Sequence, residues 1–313
     1  MVMGVKHKIK SILPDKVIYQ YEVIRLVPDY VRACSQLRNK RFKSITLMSN
    51  KETVDEIKYE GKSLGRFGDG EFLWMLNRNN PSFQKSSEKL RLELINIMKN
   101  KRENLLIGIP GGILDPSLCN NQAKFHWTII KNEIYPYIEQ YLDSNVIYSD
   151  ASITRPYIDY RDRKFSENSF KNLQRIWEDR DVVIVEGENT KLGLGNDLFN
   201  NVKSLNRILC PSENAYERID EIVKTIIDKV DKKCLLLGAL GPTATVLAFR
   251  LSELGFQFVD VGHIDIEYMW FLNNELIRKP VEGKSVNESN SRKCSELYNQ
   301  DQRYVNSIID VIK

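Results

Sequence analysis

The sequence predicts an α/β fold: a Rossmann-like, mostly parallel sheet with helices on both faces, preceded by an N-terminal helical lead-in. Three observations carry this reading. From about residue 63 onward, short apolar runs of strand length alternate with longer helical patterns, which implies parallel strands joined by crossover helices. No fixed-period repeat and no low-complexity linker divides that region, so it reads as one domain over residues 56–275. With 313 residues and 42% hydrophobic content, the chain can bury a large core, and the sheet is expected to be covered on both faces.

Taken in order, residues 1–55 form a basic helical segment. Its first 43 residues carry ten Lys/Arg against Asp15, Glu22 and Asp29, although the whole chain is only +4. Apolar residues among those cations (Ile9, Ile12, Leu13, Val17, Ile18, Tyr19, Tyr21) suit either an anionic membrane surface or a helix packed on the main domain. Leu64, Arg66 and Phe67 end a first strand, and Phe72, Leu73, Met75 and Leu76 give the next stretch an amphipathic helical pattern. Further strands are expected at 105–109, 146–148, 182–185, 208–209, 234–237 and 256–259. Helices are expected at 87–98, 121–142, 170–179, 215–230 and 243–254. Residues 276–313 read as a polar loop, centred on 282–296, followed by a helix whose stripe of Tyr304, Val305, Ile308, Ile309 and Ile312 docks on the domain.

Several classes are disfavoured. The longest uncharged run, 234–249, is too short for a typical spanning helix and contains Gly238, Gly241 and Pro242. The opening MVMGVKHKIK lacks the apolar core of a secretory signal, so a cytoplasmic location is expected, with peripheral contact at the inner face of the membrane through the basic segment. Five cysteines without CxxC spacing argue against a disulfide framework and a thiolate zinc site. No nucleic-acid partner is expected.

The chemistry points to the run SLGRFGDGEF. Asp69 and Glu71 lie one residue apart between glycines that allow a tight turn and leave room for a bulky anion. Two repelling carboxylates suit a divalent cation, and Mg²⁺ or Mn²⁺ in phosphate chemistry typically takes one or two carboxylates plus substrate oxygens. The turn therefore suggests a nucleotide diphosphate held through a metal, with Arg66 and Gly68 beside the substrate; the plainer alternative is an ordinary acidic glycine turn. A second unit, GALGPTATVLAF, places Gly241 as a helix cap and Pro242 at the first helical position, with Thr243 and Thr245 in the opening turn, a start that attracts phosphate. It matches neither a Walker A loop nor a GxGxxG fingerprint.

After the next strand, VGHIDIEYMWF gathers His263, Asp265 and Glu267. His263 follows Gly262 at a strand end, where a side chain can face a ligand. Asp265 and Glu267 open a helix, either as dipole-stabilising acids or with one as a general base. A third segment, VVIVEGENTKLGLGNDLF, lacks the third glycine of a dinucleotide loop, which disfavours NAD. Lys191 in it, or Arg155 in ITRPY, could offset charge on a departing diphosphate, or each could be a surface ion-pair partner.

Together RFGDGE, EGENTKLGLGNDLF, LGPTATVLA and GHIDIEY resemble the GT-D type glycosyltransferases, over roughly residues 63–272. That resemblance implies a Rossmann-like fold, a UDP-sugar donor and a divalent cation, usually manganese, held by the Asp69 and Glu71 pair with His263 beside it. It implies transfer of a hexose to a glycan hydroxyl, lipid-linked or on a glycoprotein, in bacterial surface polysaccharide or glycoprotein synthesis, with Asp265 or Glu267 activating the acceptor. Members of the group often read IEYEWF where this chain has Met269, so a second glutamate is missing there. Two other readings remain: a metal-dependent nucleotide-sugar phosphohydrolase, and a non-enzymatic nucleotide-sugar-binding scaffold.

Overall fold

The computed structural model describes residues 13–78, 83–100, 102–285 and 301–313. Among the described residues nine strands form one sheet: β1 (Thr46–Leu47), β2 (Ser63–Arg66), β3 (Leu105–Ile109), β4 (Ile147–Asp150), β5 (Asp181–Gly187), β6 (Ser204–Cys210), β7 (Leu235–Ala239), β8 (Gln257–Asp260) and β9 (Ile308–Val311). Their order is β1-β4-β3-β2-β8-β7-β5-β6-β9, and every neighbouring pair is parallel. The helices are α1 (Asp15–Leu37), α2 (Asn50–Tyr59), α3 (Asp69–Met75), α4 (Glu88–Lys99), α5 (Gly111–Leu114), α6 (Asn121–Glu133), α7 (Tyr135–Ile138), α8 (Arg163–Gln174), α9 (Ile219–Lys229), α10 (Pro242–Glu253), α11 (Ile264–Leu272) and α12 (Gln302–Ser307), with short 3-10 turns between some of them.

The period-2 alternation of the strands sorts the core into two layers. Leu105, Ile107 and Ile109, with Val183, Val185 and Leu236, pack on one face against α3, α4, α9 and α10. Leu106, Val182, Ile184, Leu235 and Leu237 pack on the other, against α2, α8 and α11. Helices on both faces and apolar strands are thus one fact, since a central parallel strand has no solvent side.

Three elements differ from expectation, one of them the helix expected over 170–179, which runs over Arg163–Gln174. The helix expected over 121–142 stops at Glu133 and restarts as α7 with Pro136 in its first turn, because proline lacks the N–H an uninterrupted helix needs. The C-terminal stripe is split: only 302–307 is helical, and the β-branched run that follows is β9, which pairs with β6 through Leu209 and Val311. The loop expected over 282–296 lies, from residue 286 onward, outside the described residues. The basic lead-in is a wall of the domain: Ile18 and Ala33 of α1 are buried, and Tyr30 stacks on Phe125 of α6 with centroids 4.0 Å apart.

The chain runs outward from β2 through β3 to β4, and β8 later takes the other side of β2, pairing through Leu64 and Val259. Ligands of open α/β folds bind beyond the strand ends where the order reverses in this way. The turns leaving β2 and β8 carry Asp69 and His263.

Candidate functional site

A cavity of about 600 Å³ opens above the C-terminal ends of β2, β3, β4 and β8. Arg66, Gly68, Asp69, Glu71, Arg155, Gly241 and His263 all line it, together with Asp260 and His126. The acidic turn, the glycine-proline helix start and the late histidine therefore share one space.

The acidic turn is the first turn of α3. Gly68 is its N-cap in an extended conformation, and its N–H donates to Glu71 Oε2 at 2.8 Å. One Glu71 oxygen thus closes the helix end, as a glutamate at the third helical position does. Burial and the nearby Asp260 push the Glu71 carboxyl up to about 7 against the Gly68 amide and Arg66, which favour its charged form. Asp69 is half exposed, with Oδ2 3.2 Å from His126 Nε2. Burial works to raise its pKa, but His126, Arg155 and the Gly70 amide together hold it below the usual carboxylate value. Asp69 is consequently a charged oxygen donor facing the cavity.

Arg66 organises the floor. Its Nη2 pairs with Asp260 Oδ1 at 2.7 Å, its Nε donates to the Asp260 carbonyl at 2.9 Å and its Nη1 donates to the Ala151 carbonyl at 3.2 Å, tying β2 to β8 and to the turn after β4. Gly262, at φ 47°, makes room for it, since a Cβ there would lie 2.1 Å from Arg66 Nη2. With its fork committed, Arg66 shapes the site. Thr245 extends the lattice, its hydroxyl donating to the Arg66 carbonyl at 2.7 Å.

At α10 the predicted cap and proline stand as expected, with Gly241 at φ 55°. Phe83 sits against it: a Cβ on Gly241 would meet that ring at 2.3 Å. Gly241 borders the cavity, but Thr243 and Thr245 are fully buried behind it, so the substrate-binding role expected of the two threonines does not fit their placement. Lys191 is likewise only 2% exposed and lines neither the cavity nor the cleft of about 50 Å³ beside it. The middle motif reaches the site through Gly187 and Thr190, which line that smaller cleft with Phe83, Gly241 and His263.

The acids after β8 are placed away from the substrate space, and the role of acceptor base expected of them is corrected. Asp265 is 1% exposed, pairs with the buried Lys284 and accepts from Asn196 Nδ2 at 2.6 Å. Glu267 is fully buried and accepts the Tyr157 and Ile158 N–H groups at 3.1 and 2.9 Å. Its other oxygen lies 3.5 Å from Arg155 Nε, so it orients a cavity arginine. Burial raises the Glu267 carboxyl to about 7, with Arg155 opposing the shift. Much of the middle and late motifs is one clamp: Asn196 holds Asp265, and the Tyr268 hydroxyl donates to Asp197 at 2.8 Å.

Sequence reasoning missed Asp260, His126, Asp159 and Arg278, and the three residues of α1 that line the cavity, Glu22, Arg25 and Leu26. Asp260 had a readable signal, since it ends a strand at the point where the order reverses. His126 had none, lying mid-helix between Phe125 and Trp127.

No three His, Cys, Asp or Glu side chains among the described residues are already gathered as a complete metal cage. The donor set still fits a hard cation that draws most of its ligands from a substrate: a charged, half-exposed Asp69 and the Glu71 oxygen left over from the helix cap.

The model of the glycosyltransferase GT-D fold matches residues 64–289. Glycosyltransferase GlyD of Streptococcus pneumoniae serotype 4 is 36% identical over 265 residues, covering 82% of this chain and 31% of that protein. A probable glycosyl transferase, Gly, of Streptococcus gordonii is 33% identical over 270 residues, covering 85% of this chain and 39% of that protein. The chain thus spans about a third of the length of the curated relatives it matches. Among solved structures, the highly conserved domain of unknown function 1792, described as having a distinct glycosyltransferase fold, superposes with a TM-score of 0.78 at 32% identity, covering 92% of this chain and 100% of that one. A glycosyltransferase of the same domain type from Streptococcus sanguinis gives 0.77 at 31% identity, covering 86% and 100%. By its motifs and these matches, the chain belongs to the GT-D fold family of glycosyltransferases.

Proposed function

We propose that this chain is the catalytic unit of a metal-dependent glycosyltransferase that moves a hexose from a UDP-sugar to a hydroxyl of a glycan acceptor, lipid-linked or on a glycoprotein, in bacterial surface polysaccharide or glycoprotein synthesis. One observation carries the reading: the acidic turn, Gly241 and His263 border a single cavity of about 600 Å³, a size that suits a nucleotide sugar. Asp69 and Glu71 would hold Mn²⁺ or Mg²⁺, with His263 across the same cavity. When bound, the cation supplies Lewis acidity to the leaving diphosphate. Arg155, steadied by Glu267, and Arg278 add positive charge where the diphosphate departs. Trp74, Phe83 and Trp127 offer apolar walls to the ring systems and help exclude water.

The test is transfer from UDP-glucose labelled in the sugar to a glycan acceptor by the purified chain. Transfer should need Mn²⁺ or Mg²⁺, stop on chelation and resume on re-addition. An Asp69→Ala/Glu71→Ala double variant with full activity contradicts the assignment. Release of free sugar with no gain on adding acceptors would instead favour hydrolysis.

A further inference from the structure

Helix α1 has two unlike faces. Its inner face packs on α6 and sends Glu22, Arg25 and Leu26 to the cavity. Its outer face carries Val17, Tyr21, Ile24, Val27 and Val31, which are 44, 52, 67, 39 and 58% exposed. Steps of three and four residues align them in one stripe about 20 Å long at 1.5 Å rise per residue. Single exposed apolar residues are ordinary, but a continuous ridge on one helix marks a contact surface. A solvated helix would be polar on that side.

The charges around the stripe identify what covers it. At about 100° per residue, Lys16, Arg32 and Arg38 fall along its margins, whereas Asp15, Glu22 and Asp29 fall on the far side. Asp15 is tied to Lys279 at 2.7 Å, and Glu22 faces the cavity. Asp29 reaches Arg32 at 3.3 Å, beside the cationic rim. Residues 13–43 carry seven Lys/Arg against three acids. A second copy would oppose one cationic rim to another, whereas an anionic surface complements both rim and ridge.

We propose that the outer face of α1 is a docking surface for an anionic lipid bilayer. The ridge enters the boundary between headgroups and acyl chains, and the flanking cations meet the lipid phosphates. Because the same helix forms one wall of the cavity, docking holds that wall beside the headgroup layer, where a membrane-presented acceptor would be within reach. This inference does not depend on which sugar is transferred.

The test is flotation of the full chain with vesicles of phosphatidylcholine alone, or containing about one third phosphatidylglycerol. The chain should float with the anionic vesicles only and detach at high salt. Ile24→Asp with Val31→Asp should lower the bound fraction roughly tenfold. Lys16→Glu with Arg38→Glu should do so to a similar extent, roughly tenfold. Both double variants should keep the wild-type circular dichroism and transfer to a soluble acceptor, which separates this surface from the reaction. Wild-type protein that stays off anionic vesicles, or double variants that bind them as well as wild type, overturns the proposal. So does sedimentation showing a dimer that the Ile24→Asp/Val31→Asp change dissociates, which would make the face an interface between copies.

Discussion

Two Asp-x-Glu pairs open helices after neighbouring parallel strands, Asp69 and Glu71 on α3 and Asp265 and Glu267 on α11, and they end in opposite environments. The first pair stands between Gly68 and Gly70 at the cavity edge, with Asp69 half exposed. The second stands between Ile264, Ile266 and Tyr268, all buried, and has its partners inside the protein. Sequence spacing is the same; what differs is whether the intervening residues can be left in water. A helix that is apolar on every side is an interior helix, and its acids must be satisfied internally.

Mutation should act oppositely on the two pairs, on stability at the buried one and on turnover at the exposed one. The largest effect is expected at the buried pair. Asp265→Ala leaves the Lys284 ammonium buried without its carboxylate and should cost about 3–5 kcal/mol in denaturant unfolding. Replacing both partners, Asp265→Leu with Lys284→Met, should recover most of that loss. A neutral Asp265→Ala would show that the second pair is as open as the first.

At the cavity pair the loss should fall on turnover. Asp69→Ala should lower transfer by about 100-fold or more while shifting the thermal midpoint by no more than about 2 °C, because the side chain is half solvated and gives up only its contacts with His126 and the Gly70 N–H. A smaller effect is expected where the two regions touch. Glu267→Gln keeps the acceptors for the Tyr157 and Ile158 amides but removes the charge facing Arg155, so KM for the donor should rise several-fold, by roughly 1 kcal/mol, with kcat little changed.

The finest distinction is in pH dependence. Glu71 and Glu267 both hold their protons to about pH 7 in the folded chain, so the folded state binds more protons than the unfolded one between the ordinary carboxylate range and about 7. Stability contributed by these groups is therefore present at low pH and lost as pH rises through that window. Glu71→Gln should flatten part of that slope in thermal melts. Mn²⁺ selects the ionised carboxylate, so its affinity should increase as pH rises through about 7 in wild type and change much less in Glu71→Gln.

These contrasts explain what the sequence made legible. The fold was readable because central parallel strands carry unbroken apolar runs and their crossovers have helical period, as in β3, residues 182–185 of β5, and β7. The Gly241 cap and the opening of the acidic turn follow from local chemistry, and both stand where local chemistry puts them. Long-range partners were not legible. Lys284 meets Asp265 across 19 positions of sequence and Arg66 meets Asp260 across 194, and spacing says nothing of either. Thr243, Thr245 and Lys191 are expected beside the substrate from their place just after strand ends, whereas packing of α10 and of the 187–198 loop buries them. The last strand escaped because its β-branched residues also fit a helical stripe, and only an open edge at β6 decides between the two.

The most direct measurement is the thermal midpoint of the chain with a UDP-sugar, with and without Mn²⁺, for wild type and Asp69→Ala. A ligand that binds only the native state raises that midpoint. The account predicts a rise with wild type that requires both Mn²⁺ and the nucleotide sugar, and none with Asp69→Ala. An equal rise in the variant, or a full rise without the cation, would contradict it.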